Sequence, residues 1–302
     1  MSKTAFDARL TDVAGTMEES LDRLLAEAPL AGETTRPGRL LAAMRYASLD
    51  GGKRLRPFLV IETARLLGST GEGVTRAAAA LECVHCYSLV HDDLPDMDDD
   101  DMRRGRPTVH RAFDPATAIL AGDSLLTYAF DILADPATHA DAAVRAELVL
   151  ILARAAGLGG MAGGQMLDLE AENKTLTEAG IARLQAMKTG ALIRAAVAFG
   201  AVLGAADAER RADLDRYAVT IGLAFQLADD LLDVEAAAET VGKATGKDAE
   251  RGKATLVSLI GAEAARSRLD SLVEEAEAAL AAFGPQAAFL RQAARFIADR
   301  KA

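Results

Sequence analysis

The chain has 302 residues, half of them apolar, and a formal charge of −11 from 34 basic and 45 acidic residues. Length alone admits one large domain or two modest ones, while the acidic balance argues against nucleic acid as a partner. The N-terminus, Met1-Ser2-Lys3-Thr4-Ala5-Phe6-Asp7, lacks the apolar core of a secretory signal, and no uninterrupted apolar run reads as a bilayer span, so a cytoplasmic protein without stable membrane insertion is expected.

Alanine dominates, tryptophan is absent, and Gly and Pro gather between long periodic segments. The alternating Val/Ile/Thr runs of a sheet protein are missing, so the composition predicts an all-α chain. With no internal repeat, low-complexity linker or composition break, residues 1–302 read as one domain, a single bundle of many helices.

The first helix is expected over 3–28, where Leu10, Val13, Met17, Leu21, Leu24 and Leu25 recur at helical spacing. Pro29 and the stretch from Gly32 to Pro37 close it. A second helix, about 38–49, runs into the turn Leu49-Asp50-Gly51-Gly52-Lys53-Arg54-Leu55-Arg56-Pro57. This is not a P-loop, because Ala47 and Arg54 stand where that motif needs Gly and Ser or Thr. On these residues alone it also reads as an ordinary surface turn with solvated cations.

Helices at about 58–68 and 72–93 are apolar enough to be buried, and the second carries Cys83, His85, Cys86, Tyr87 and Ser88. The two cysteines, three apart on one helix, lack the geometry of a structural disulfide. A structural zinc site needs four ligands, for which no second Cys or His pair exists, so both thiols are expected to pack in the core.

This helix delivers an acidic run, in which seven of the ten residues from Asp92 to Asp101 are aspartate and Arg103 and Arg104 follow. Like charges this dense raise one another's pKa and need solvent or a cation to offset them. Asp92 and Asp96 would share a helical face, whereas Pro95 suggests that the helix bends or ends, leaving Asp92 and Asp98 to flank one site. An EF-hand loop starting at Asp96 would need Gly at Asp101 and Glu at Pro107. Mg²⁺ suits the run better, since it takes a few carboxylates together with waters and phosphate oxygens; the two arginines would hold that phosphate.

Helices at about 115–134 and 140–158 follow, then the glycines from Gly157 to Gly164, with Gln165 and Asp168 on a further helix and no role assigned to either. A long apolar helix over 178–203 is interrupted by Lys188-Thr189-Gly190. Another, 214–234, carries Asp229, Asp230 and Asp233, with Asp229 and Asp233 on one face. Glu235 to Lys253 reads as a mobile polar segment, and the last helices fall at about 254–282 and 285–300. Two Asp-rich helix segments facing each other across a bundle would hold several metals and a diphosphate.

Asp92-Asp93-Leu94-Pro95-Asp96-Met97-Asp98 with Arg103-Arg104-Gly105, and Phe225-Gln226-Leu227-Ala228-Asp229-Asp230-Leu231-Leu232-Asp233, resemble the two aspartate-rich motifs of the trans-isoprenyl diphosphate synthases, over nearly the whole chain. The resemblance implies the isoprenoid synthase fold, a helical bundle around a central cavity, a homodimer, and three Mg²⁺ ions per active site. Asp92, Asp98 and Asp229 would be the metal ligands, with Asp93, Asp230 and Asp233 supporting them from behind. Lys53, Arg56 and Pro57 match a turn that holds the diphosphate of isopentenyl diphosphate, where a point charge and a planar fork act without metal; His85 and Arg104 would assist. Arg103, Lys188, Thr189, Gln226, Lys243 and Lys253 match residues around the allylic diphosphate, the last two on a lid that closes over it.

The implied activity is prenyl transfer. Loss of diphosphate from an allylic substrate gives a cation, isopentenyl diphosphate adds to it, and proton loss completes the step, with the released diphosphate rather than a side chain as base. Tyr87, about 7.5 Å along the helix from Asp92, would act as a floor that stops growth at C15, farnesyl diphosphate. A C20 product, geranylgeranyl diphosphate, is the alternative. A class I terpene cyclase would not need the Lys53/Arg56 turn, and a silent partner subunit would not keep both Asp motifs.

Overall fold

The computed structural model describes residues 3–171, 176–241 and 256–299. Their contacts divide into two compact units, one of residues 7–150 and one of residues 1–6 with 151–302. The fold is all-α, apart from one two-stranded ribbon among the described residues.

In the first unit, α1 (Lys3–Leu24) buries Leu10, Val13, Met17 and Leu21 along one face. It stops four residues before the expected end, where its last carbonyls find other donors. Arg36 donates to Leu24 O and Ala26 O at 3.1 and 2.9 Å, and the Tyr128 hydroxyl donates to Leu24 O at 2.6 Å. Side chains thus satisfy a helix end that would otherwise leave acceptors unmet.

Helix α2 (Gly38–Ser48) is followed by α3 (Leu55–Leu66), which begins three residues earlier than the sequence suggests. Its first-turn Pro57 needs no intrahelical donor there, and Arg54 caps it in the left-handed region at φ 49°. Helix α4 (Glu72–Asp92) buries both cysteines, which are free thiols. The Cys86 thiol is pushed up to about 11 by burial, then by Glu82, as befits a packing role.

After α4 come β1 (Met102–Arg103) and β2 (Arg106–Pro107), a ribbon the composition did not announce. Its two-residue turn, Arg104-Gly105, has positive φ at both positions (53° and 75°), the pattern that matches the strand twist of a tight hairpin. Short α5 (Val109–Ala112) leads to α6 (Pro115–Ala134), which starts at the predicted place because Asp114 accepts from Thr117 N at 2.8 Å and Pro115 opens the helix. Helix α6 packs extensively on α4; α7 (Ala142–Ala156) carries the chain into the second unit.

There α8 (Met161–Ala171) precedes α9 (Glu178–Gln185), and the expected helix over 178–203 is split by a π-helical turn at Ala186–Gly190 before α10 (Ala191–Leu203). Helix α11 (Ala208–Val241) is longer at both ends than expected, about 51 Å at 1.5 Å per residue. Residues 235–241, expected in the polar segment, are its last turns. The predicted helix over 254–282 is two, α12 (Leu256–Ile260) and α13 (Ala262–Ala279), divided at Gly261 with φ 84°. A 3₁₀ segment, Ala281–Ala287, precedes α14 (Ala288–Ala298), where Leu290 O accepts from the buried Tyr217 hydroxyl of α11 at 2.7 Å.

Two stretches, Pro115–Ala134 and Glu178–Leu203, have the length and hydropathy to cross a membrane, contrary to the expectation that none would. Both spend apolar surface on their own units. Helix α10 buries Leu192, Ile193, Val197 and Phe199 among others, as a core helix does.

Close packing at α4 gives a direct test. A Cβ at Gly73 would lie 2.2 Å from the Thr138 carbonyl oxygen, whereas one at Gly15 of α1 meets nothing within 4 Å. Gly73→Ala is expected to destabilise the protein by about 1–3 kcal/mol in urea unfolding, and Gly15→Ala to stabilise it by about 0.5–1 kcal/mol.

Candidate active site

The first acidic motif sits where α4 ends. Asp92 is its last residue and Asp93 its C-cap, so Asp96 lies beyond the helix and does not share a helical face with Asp92 as expected. The chain instead folds back, with Asp98 N donating to Asp92 O at 2.8 Å and Asp99 N to Leu94 O at 3.1 Å. This turn brings Asp92 and Asp98 together, both partly exposed.

Asp93 differs from them. It is buried, and Arg103 Nε donates to its Oδ1 at 2.7 Å, with Nη2 in ion-pair contact with the same oxygen at 2.5 Å. Burial raises its pKa and the Arg103 guanidinium opposes the rise. Arg103 also reaches Asp100 at 3.4 Å, and Arg111 pairs with Asp101, so part of the run is neutralised from within. Arg103, expected at a diphosphate, is engaged with carboxylates.

Beside this motif lies the glycine turn. Lys53 is exposed, and Arg56 sits in the first turn of α3 with Nη1 3.3 Å from His85 Nε2. Burial, then the charges of Arg56, Arg104, Arg54 and Arg103, hold His85 well below its usual pKa, so it is a neutral imidazole that can accept from Arg56. The Arg104 guanidinium lies over the glycines; a Cβ at Gly52 would be 2.8 Å from its Nη1. Lys53, Arg56, His85 and Arg104 are therefore gathered in one basic neighbourhood of the first unit.

Tyr87 is buried on α4, edge-on to His91 at 5.7 Å between ring centroids. Burial raises its pKa, and Asp92 adds to the rise. A separate cavity of about 460 Å³, lined by residues such as Leu25, Arg36, Leu41, Met44 and Tyr128, holds none of the predicted site residues.

In the second unit, Lys188 and Thr189 occupy the π-helical turn, a local widening that often marks a functional position. Lys188 Nζ donates to Asp168 Oδ2 at 2.6 Å. A Cβ at Gly164 would meet the Lys188 backbone nitrogen at 2.2 Å, so α8 touches the turn directly. Thr189 donates to Gln226 Oε1 at 3.1 Å; Gln226 Nε2 donates to Asp230 Oδ1 at 3.0 Å, and Gln185 Nε2 to Asp230 Oδ2 at 2.9 Å. Both oxygens of buried Asp230 are thus occupied, while its neighbour Asp229 is partly exposed. Asp233 lies one turn further along α11. Lys243 and Lys253 lie outside the described residues.

Asp168 and Gln185 were not predicted as site residues. Nothing local sets them apart from the other polar residues of α8 and α9, and their partners lie 20 and 45 residues away. Among the described residues no three His, Cys, Asp or Glu side chains converge as a ready metal cluster. Two partly exposed aspartates on one turn, without sulfur or imidazole, fit a hard cation that takes its other oxygens from water and phosphate.

The polyprenyl synthetase family model matches residues 37–283, and the chain belongs to that family. It is 46% identical over 279 residues to a farnesyl diphosphate synthase of Escherichia coli, covering 91% of each chain. It is 41% identical to a farnesyl diphosphate synthase of Geobacillus stearothermophilus, covering 92% of each. A crystal structure of an FPP/GFPP synthase from Zymomonas mobilis superposes with a TM-score of 0.88 at 43% identity, over 98% of this chain and 100% of the other. The family is in general magnesium-dependent, and its substrates are prenyl diphosphates.

The neutral His85 has a consequence for stability. Its folded pKa lies below the ordinary 6.5, so its contribution is complete above pH 6.5 and is lost as pH falls through the window beneath it. Between pH 7.5 and 5 the unfolding midpoint is expected to fall, and to fall less in His85→Gln; calorimetry across that range checks this.

Proposed function

We propose that the protein is a short-chain prenyltransferase that condenses isopentenyl diphosphate with dimethylallyl and geranyl diphosphate to give farnesyl diphosphate and free diphosphate. The reading is carried by one observation, the folded-back turn that joins Asp92 and Asp98 within a chain of the polyprenyl synthetase family. The family match crosses the boundary between the two compact units, which supports one catalytic domain over 1–302.

In this reading Asp92, Asp98 and Asp229 hold three Mg²⁺ ions, with Asp93, Asp230 and Asp233 orienting them from behind. Magnesium bound there would supply Lewis-acid charge to the allylic diphosphate as it leaves. Lys188, Thr189, Gln226, Arg103, Lys243 and Lys253 bind the same diphosphate and stabilise the charge that builds on it. For Lys188 this means exchanging Asp168 for a phosphate oxygen. Lys53, Arg56, His85 and Arg104 hold isopentenyl diphosphate and fix its double bond for attack, so that orientation does the work of the C–C step.

Asp230 suits a supporting role because two glutamines already occupy its oxygens. Buried Tyr87, five residues and about 7.5 Å along α4 before Asp92, supports a floor for a C15 chain. The protein is further proposed to act as a cytoplasmic homodimer without stable membrane insertion.

Product analysis tests this directly. With Mg²⁺, labelled isopentenyl diphosphate and geranyl diphosphate, a C15 product is expected, and EDTA should abolish it. Asp92→Asn or Asp98→Asn should lower kcat/KM by about 10²-fold or more. Tyr87→Ala should move the main product to C20; an unchanged C15 product would remove Tyr87 as the floor.

A further inference from the structure

A buried ion system underlies the glycine turn and involves none of the residues assigned to substrate. Arg54 is 3% exposed. Its Nη1 donates to Glu82 Oε1 at 2.6 Å, and its Nη2 donates to Ser48 O at 2.5 Å and to Glu18 Oε2 at 3.1 Å. The other oxygen of Glu18 accepts from Asp50 N at 2.7 Å. One guanidinium and one carboxylate therefore grip both ends of the segment that carries Gly51, Gly52 and Lys53. Ser48 O and Asp50 N are held at its entry, and Arg54 itself at its exit.

Arg54 adopts a left-handed backbone at φ 49°, a conformation unfavourable for a residue with a Cβ. The buried ion pair holds it there. Burial works against the charge, and Glu82 with Glu18 outweighs it, so Arg54 stays protonated. Helix α4 then treats the two arginines of the turn differently. Glu82 neutralises Arg54, while His85, one turn later, is a neutral imidazole 3.3 Å from Arg56 Nη1.

We propose that Arg54, clamped by Glu82 and Glu18, is a positioning residue that sets Lys53 and Arg56 at the spacing a diphosphate needs. This rests on the reading of the turn as the isopentenyl diphosphate site. The clamp acts on that diphosphate alone, so its loss separates the two substrates kinetically.

The test is steady-state kinetics with each substrate varied in turn, on Arg54→Lys, Glu82→Gln and Glu18→Gln, with Lys53→Ala as a reference for the turn itself. Each clamp variant is expected to raise KM for isopentenyl diphosphate tenfold or more, and KM for geranyl diphosphate less than twofold. Glu18→Gln is included because Glu18 is partly exposed and its loss leaves the Arg54–Glu82 pair intact. The double variant Arg54→Met/Glu82→Met refills the core without charge; its melting temperature should recover while KM for isopentenyl diphosphate stays high. If that KM returns to the wild-type value, or if both KM values rise together, the clamp serves only stability and the proposal fails. If Lys53→Ala leaves KM for isopentenyl diphosphate unchanged, the turn is not the site and the underlying reading fails instead.

Discussion

The constraint that shapes this protein is electrostatic. Seven aspartates within ten residues begin at the last residue of α4, the end where the helix's own dipole is negative. Such a run keeps a defined shape only if its backbone is fixed independently of its charges. The turn does this through main-chain bonds from Met97, Asp98 and Asp99 back to Leu94 and Asp92, and the ribbon and α5 that follow return arginines to the acids. Arg103 and Arg111 take Asp93, Asp100 and Asp101. Four of the seven, Asp92, Asp96, Asp98 and Asp99, lie outside those arginine pairs, and the proposed ligands Asp92 and Asp98 are among them.

The second unit handles its acids by another route. Two glutamine amides and, through Gln226, Thr189 of the π-helical turn hold Asp230. The pairing of Lys188 with Asp168 keeps a cation close at hand without exposing it fully. The buried aspartate of the first motif is thus held by arginine and that of the second by glutamine amides, and in each the aspartate preceding the buried one is partly exposed.

Much of this was legible in the sequence because it is local. Helical spacing located α1, the ranges of α4 and α6 were read within a residue or so, and Lys188-Thr189-Gly190 betrayed an interruption whose form, a π-helical turn, could not be read. The end of α4 was read within a residue, and of the two arrangements left open there, Asp96 on the face of Asp92 and a break before Asp98, the structure shows the break. The ribbon was missed because two-residue strands leave no periodicity, although Arg104-Gly105 is a weak turn signal. Arg54 looked like one more cation in a basic turn. Its burial depends on Glu18 and Glu82, 36 and 28 residues away, and nothing local distinguishes it from Lys53 or Arg56.

The two thiols of α4 carry a different consequence. Cys83 and Cys86 are the chain's only cysteines, both buried, and burial keeps each in its unreactive protonated form. Alkylating reagents and mild oxidants therefore find no thiolate on the folded protein. The rate at which such a reagent labels the chain becomes a clock for the opening of α4, the helix that ends in the first aspartate motif.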